Sequence, residues 1–148
     1  MDNLFKEVKK KAIKKFERAK ESDVEFALLL GEIYENRQKY FPNSTYTEFK
    51  QFISVEFGYS RVWALEYIKS GKIYKYIEQY NEEQEQTLEL PSRVTYLKRI
   101  PFDTQDDKEN AILIWKKALE ISDELLPTSK DVKVAIREFF RERSKFIL

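Results

Sequence analysis

The sequence predicts an all-α protein, and three observations carry that expectation. Apolar residues recur at helical spacing along most of the chain, whereas alternating runs of strand type are nearly absent. Three glycines and four prolines in 148 residues leave little of the punctuation that hairpins and sheets require. Serine and threonine stand where caps are needed, at Thr45, Ser60 and Thr128, each just before a periodic apolar segment.

Length and composition bound the rest. A chain of 148 residues makes one domain or two very small ones, and it can bury a real core. With 36% charged and 15% aromatic residues it reads as a folded chain with a heavily charged surface, not a disordered one. The longest apolar run, Phe26 to Leu30, is five residues, far short of the roughly 18 to 20 needed to span a bilayer. The amino-terminal segment lacks the uninterrupted apolar stretch of a signal peptide, so the expectation is a cytoplasmic protein with no membrane partner. Cysteine and histidine are both absent, which removes disulfides, thiolate nucleophiles, Cys/His zinc sites and imidazole acid–base chemistry. No paired carboxylates, phosphate-cradling glycine loop or nucleophile–base spacing stands out, so neither an enzyme nor a cofactor is expected.

The net charge of +1 hides an uneven distribution. Residues 1–20 hold eight bases against three acids, residues 78–89 hold five glutamates and no base, and residues 129–148 are basic by three. The reading is of basic ends flanking an acidic middle.

Taken in order, residues 4–20 form an amphipathic helix. Leu4, Phe5, Val8, Ala12, Phe16 and Ala19 make its stripe, and lysines including Lys10 and Lys14, with Arg18, cover the remainder. It reads as a phosphate-neutralising arm, as a solvated helix packed on the domain, or as a membrane-surface helix. Ser22 or Asp23 caps a helix running to about Gln38, in which Gly31 marks a close crossing. Phe41-Pro42-Asn43-Ser44 breaks the chain.

The central stretch, Thr45 to Ile68, reads as two short helices joined by a tight turn. Thr45 and Glu48 have capping-box spacing, and Phe49, Phe52, Ile53 and Phe57 mark a buried face. Gly58 stops the first helix because glycine enters the left-handed region without steric penalty. Tyr59 is the expected apolar anchor under the turn. Ser60 caps a second helix that carries Ala64, Tyr67 and Ile68 inward and ends near Gly71. This is the pattern of a DNA-binding helix-turn-helix, and also that of two ordinary helices in a bundle.

Beyond it, Ile73 to Tyr80 form a further helix, Pro91 opens a short one over Ser92 to Ile100, and Asp103 or Thr104 starts a longer one with Trp115 in its core. Pro127-Thr128-Ser129-Lys130-Asp131 opens a last helix. It places Val132, Ala135, Ile136 and Phe139 inward, with Lys133, Arg137, Arg141 and Arg143 outward.

The order of elements resembles the helix-turn-helix proteins of plasmids and phages related to ParB and KorB, among them the partition proteins of spirochaete plasmids. The similarity lies in Thr45, Glu48, Phe49, Gly58, Ser60, Arg61 and Ala64. It continues in Leu90-Pro91-Ser92, Asp106-Asp107, Trp115-Lys116-Lys117-Ala118 and the Thr128, Val132, Ala135 spacing. The resemblance implies a DNA-binding protein for plasmid partition, replicon maintenance or transcriptional control, acting on double-stranded DNA as a homodimer with a partition ATPase as partner. No arginine-rich nucleotide-hydrolysis box precedes the motif, so no CTPase activity is implied.

The expected organisation is a basic helix over 1–21, the helix-turn-helix module over 22–80 and a carboxy-terminal helical module over 81–148. Ser60 and Arg61 are the expected groove contacts, with Trp63, Leu65, Glu66 and Lys69 as further candidates on the second helix. Trp63 faces DNA or packs under its neighbour. Glu66 accepts from a cytosine amino group or repels the backbone. Lys69, Lys72, Lys75, Lys10 and Lys14 are the expected phosphate contacts. The alternative is an all-α protein-interaction or oligomerisation module in which these bases are ordinary surface.

Overall fold

The computed structural model describes residues 2–17, 19–42, 45–85, 87–122 and 126–144. These residues form seven α-helices and one 3-10 segment, with no strand among them. The helices are α1 (Asp2–Glu17), α2 (Ala19–Glu35), α3 (Arg37–Tyr40), α4 (Phe49–Phe57), α5 (Arg61–Gln84), α6 (Gln105–Ile121) and α7 (Ser129–Ser144), and the 3-10 segment is Val94–Leu97. Arg18, Asn43, Ser44 and the side chains of Ala19 and Ser22, to which the sequence assigns roles, lie outside the described residues. The chain groups into two compact units, residues 1–71 and 72–148, so the boundary falls within α5.

The first unit is built on aromatic packing. Phe5 of α1 meets Phe41, Tyr46 and Phe52 edge-on, with centroids 5.7, 6.0 and 5.7 Å away. Rings in this arrangement set a positive edge against a negative face, adding to what burial alone contributes. With Val8 and Ala12 also buried, α1 is an integral wall of the unit. Phe26 of α2 bridges the elements around it, lying 5.4 Å from Phe57 of α4 and 5.4 Å from Tyr67 of α5.

Local chemistry moves several boundaries from those the sequence suggests. Ser22 and Asp23 lie inside α2, not before it. That helix ends at Glu35, where the Asn36 N–H makes the last i→i−4 bond to the Glu32 carbonyl at 3.1 Å and the Asn36 side-chain amide donates to the same carbonyl at 2.9 Å. Such a side chain offers the last turn a competing partner. The Thr45–Glu48 capping box is absent. Helix α4 begins at Phe49, with Glu48 in extended conformation making no side-chain cap. Gln51 instead accepts from the backbone N–H and hydroxyl of Thr47, at 3.0 and 2.8 Å.

The largest correction concerns Gly71, which does not end the second helix. Helix α5 runs unbroken from Arg61 to Gln84. Glycine within a helix costs about 1 kcal/mol relative to alanine, but here a Cβ would stand 2.8 Å from the Cβ of Ala27 in α2. Gly31 plays a milder version of the same part, its missing Cβ falling 3.3 Å from Ile68 Cγ2. Both glycines let α2 and α5 approach closely.

In the second unit the core joins Ile73 and Ile77 of α5, Leu97 and Ile100 of the 3-10 region, Trp115 of α6 and Phe139 of α7, among others. Helix α5 ends at Gln84, and Glu85 after it takes a left-handed φ of 50°. The side chain of Asn81 then holds the following strand of chain, donating to the Leu88 carbonyl and accepting from its N–H, both at 3.0 Å. The helix expected over Ser92 to Ile100 is a single 3-10 turn. Arg93 before it is extended, and Pro101 disfavours α conformation in Ile100. Helix α6 opens on a reciprocal capping box between Thr104 and Asp107. Trp115 is fully buried and its indole N–H donates to the Glu89 carbonyl at 2.8 Å.

Candidate nucleic-acid interface

The turn between α4 and α5 is built by two residues. Gly58 adopts φ 74° and its N–H donates to the Ser54 carbonyl at 3.0 Å, closing α4. Ser60 Oγ accepts from the Trp63 N–H at 3.0 Å, satisfying one of the free donors of the first turn of α5. The hydroxyl proton of Ser60 stays available to donate outward. Ala64 is fully buried, as a small residue on the inner side of this helix should be.

Arg61, the first residue of α5, does not project alone. Its Nη2 lies 3.4 Å from the hydroxyl of Tyr34 at the end of α2. The guanidinium of Arg37 sits 4.3 Å from the centroid of the same ring and donates through Nη1 to the Tyr34 carbonyl at 2.8 Å. Tyr34 is itself braced edge-on by Phe49 of α4, at 5.2 Å. Two exposed guanidiniums thus converge on one tyrosine beside the capped start of α5. Among the described residues no carboxylate pairs with either, so the group presents net positive charge to solvent. A ring quadrupole attracts the cation above it, and fixed donors lose less freedom when an anion arrives.

The other candidates separate into those the structure brings to this place and those it does not. Leu65 and Lys69 follow Arg61 at four-residue intervals along α5, on one side of the helix. Glu66 is exposed but points to a different side. Trp63 is packed: its ring stacks on Tyr59 at 3.9 Å with an interplanar angle of 14°, and lies 5.1 Å from Tyr67. Tyr59 is therefore not an anchor beneath the turn. It is 41% exposed and covers the face of Trp63. Lys72 and Lys75 belong to the second unit, where Lys75 pairs with Glu78 at 3.0 Å. Lys10 and Lys14 are exposed on the side of α1 away from its buried residues.

Two features of this unit had no expectation attached. Val62, in the first turn of α5, is 64% exposed, and Val55 on α4 is 67% exposed. The three-residue spacing of Tyr34 and Arg37 signals their contact, but nothing local signals that Arg61 meets the same ring. Elsewhere, Lys9 pairs with Glu56 at 2.9 Å and the Tyr46 hydroxyl donates to the same carboxylate. Burial pushes the Tyr46 hydroxyl up to about 12, helped by the adjacent Glu56 charge. Burial also raises Glu56, but the hydrogen bonds from Tyr46 and Lys9 outweigh it and hold that carboxyl below its ordinary value. This triad fastens α1 to α4, and Lys15 with Glu25, at 3.0 Å, ties α1 to α2. Two lysines of the expected arm are therefore engaged in ion pairs.

No described helix is long and apolar enough to cross a membrane. Compared with family models, with curated proteins and with solved structures, the chain matches none of them.

Proposed function

We propose that this protein binds double-stranded DNA in a sequence-selective way through the amino end of α5, with α4, the Gly58 turn and α5 acting as a helix-turn-helix. The observation that supports this most is the convergence of Arg61 and Arg37 on Tyr34 beside the Ser60-capped first turn. In such motifs the first residues of the second helix meet base edges while neighbouring bases and the helix terminus meet phosphates. Arg61 would make a bidentate contact to guanine, and exposed Val62 suits a thymine methyl group. Arg37, Ser60 and Lys69 would hold backbone phosphates. The resemblance of its short sequence motifs to those of plasmid and phage proteins related to ParB and KorB, which rests on the sequence alone, is what suggests a role in replicon maintenance, partition or transcriptional control. A homodimer follows from the same reading, since one short helix end reads too few bases for useful specificity. A partition ATPase is the corresponding protein partner.

A second reading, a protein-docking or oligomerisation surface, draws on one specific observation. Val55, Tyr59 and Val62 expose apolar surface around the turn, which suits a protein partner as well as a groove. Fluorescence anisotropy separates the two. Labelled duplexes would be titrated at two salt concentrations with wild type, Arg61→Ala and Arg37→Ala. DNA binding that competes against bulk duplex and loses selectivity in Arg61→Ala supports the first reading. An absence of duplex binding at moderate salt, together with self-association that Val62→Ser abolishes, supports the second.

A further inference from the structure

The charges of α7 are sorted by side. Val132, Ala135 and Phe139 are buried in the core of the second unit. Glu138 and Glu142 turn toward Lys117 of α6, whose ammonium lies 4.0 and 2.8 Å from their carboxylates. On the outward side, Lys133, Arg137 and Arg141 follow one another at four-residue intervals, all exposed. No acid shares that side, because Asp131, Glu138 and Glu142 all fall on the flank beyond it.

Arg99, just after the 3-10 segment, faces this stripe. Together Arg99, Lys133, Ile136 and Arg137 line an open cleft of about 460 Å3. Like charges at four-residue spacing on a helix disfavour one another, so the folded chain gains nothing internally from grouping them. Among the described residues, no carboxylate pairs with Arg99, Lys133 or Arg137.

We infer that the second unit carries its own phosphate track, in which Arg99, Lys133, Arg137 and Arg141 hold the backbone of a nucleic acid without regard to its sequence. A protein partner needs apolar anchors seated in pockets, and beside the stripe α7 offers two apolar side chains, the half-buried Ile136 and Phe140, which is 42% exposed, against four cations. A phosphodiester backbone needs charge, donors and an open approach. From Lys133 to Arg141 the stripe extends about 12 Å, and duplex DNA carries one charge per roughly 1.7 Å of axis, so several phosphates lie within its reach. The inference rests on the DNA reading and adds to it: the first unit selects the site, and the second adds affinity on any site.

The test uses the full chain with Arg99, Lys133 and Arg137 all changed to Gln, which removes the charge and keeps a polar side chain at each position. Binding to one duplex selected by the wild type and to one random duplex is measured over a salt series. Each lost phosphate contact lowers the slope of log affinity against log salt by about 0.9. The expected result is a slope shallower by about 2 to 3 on both duplexes, with the ratio of selected to random affinity unchanged. Arg61→Ala should do the reverse, lowering the ratio and keeping most of the slope. An unchanged slope in the triple variant, with wild type binding DNA, overturns the track and leaves the first unit's role intact. A wild type that binds no duplex overturns both. A triple variant that changes oligomeric state by sedimentation assigns the face to a second copy of the chain and also overturns the track. Should the triple variant melt earlier by circular dichroism, Arg137→Gln alone must still lower the slope by about 1.

Discussion

Gly71 on α5 passes Ala27 on α2 so closely that a Cβ placed on the glycine would stand 2.8 Å from the Cβ of Ala27. Helix propensity alone predicts that Gly71→Ala stabilises by about 1 kcal/mol. The contact reverses the sign, because the obstruction is a short, rigid side chain on a neighbouring helix. Overpacking of this kind costs about 1–3 kcal/mol. The expected outcome is a lower urea midpoint for Gly71→Ala, largely restored when Ala27→Gly is added. A stabilised single variant would show that the helices do not cross as described.

Gly58 makes a contrasting case. Nothing lies within 4 Å of the position its Cβ would occupy, so space is not the constraint there. Its φ of 74° is the constraint, and an L-residue in the left-handed region costs about 1–2 kcal/mol. Gly58→Ala should lower stability by about that amount and Gly58→Asn by less, as thermal melting would reveal.

How far the sequence announces this structure depends on how far apart the interacting residues are. The Gly58 stop and the Ser60 cap are legible because each is a bond within four residues, and the buried stripes of α4, α6 and α7 follow from periodicity. The unbroken α5 is not legible. What permits Gly71 inside it is Ala27, which sits in another helix and leaves no mark on the local pattern. Tyr59 and Trp63 illustrate the same limit, since either could have been buried under the turn and the stack they form instead is a matter of packing. Arg37 was missed for a different reason. It lies in the last turn of the helix expected to run to about Gln38, and Arg61, which meets the same Tyr34, is remote in sequence.

The Lys9–Glu56–Tyr46 triad makes stability depend on pH at both ends of the scale. Glu56 lies below its ordinary value of 4.5 in the folded chain, so its contribution is present above that value and is lost as pH falls through the folded one. Tyr46 lies above its ordinary 10.0, at about 12, so its contribution is whole below 10.0 and is lost between there and about 12. Thermal midpoints of wild type and Glu56→Gln should therefore converge below the folded Glu56 value. Tyr46→Phe should flatten the alkaline limb. Parallel pH profiles for wild type and Glu56→Gln would contradict this account.

Trp115 tests the second unit. Trp115→Phe keeps most of the ring volume but leaves the Glu89 carbonyl without its indole donor, a loss of about 1–3 kcal/mol. Trp115→Ala adds a cavity and should cost about 3–5 kcal/mol. Chemical denaturation of both variants should give that order, and equal losses would mean that the hydrogen bond contributes nothing.

Whether Arg61 reads sequence in double-stranded DNA is decided by a parallel selection from a randomised duplex pool. Wild type and Arg61→Ala would each be taken through the same rounds and the bound duplexes sequenced. Wild type should enrich a common site containing a guanine whose identity is relaxed in the variant, with a loss of about 1–3 kcal/mol in discrimination at that base. Absence of any enriched site, or the same site enriched equally by both proteins, would contradict it.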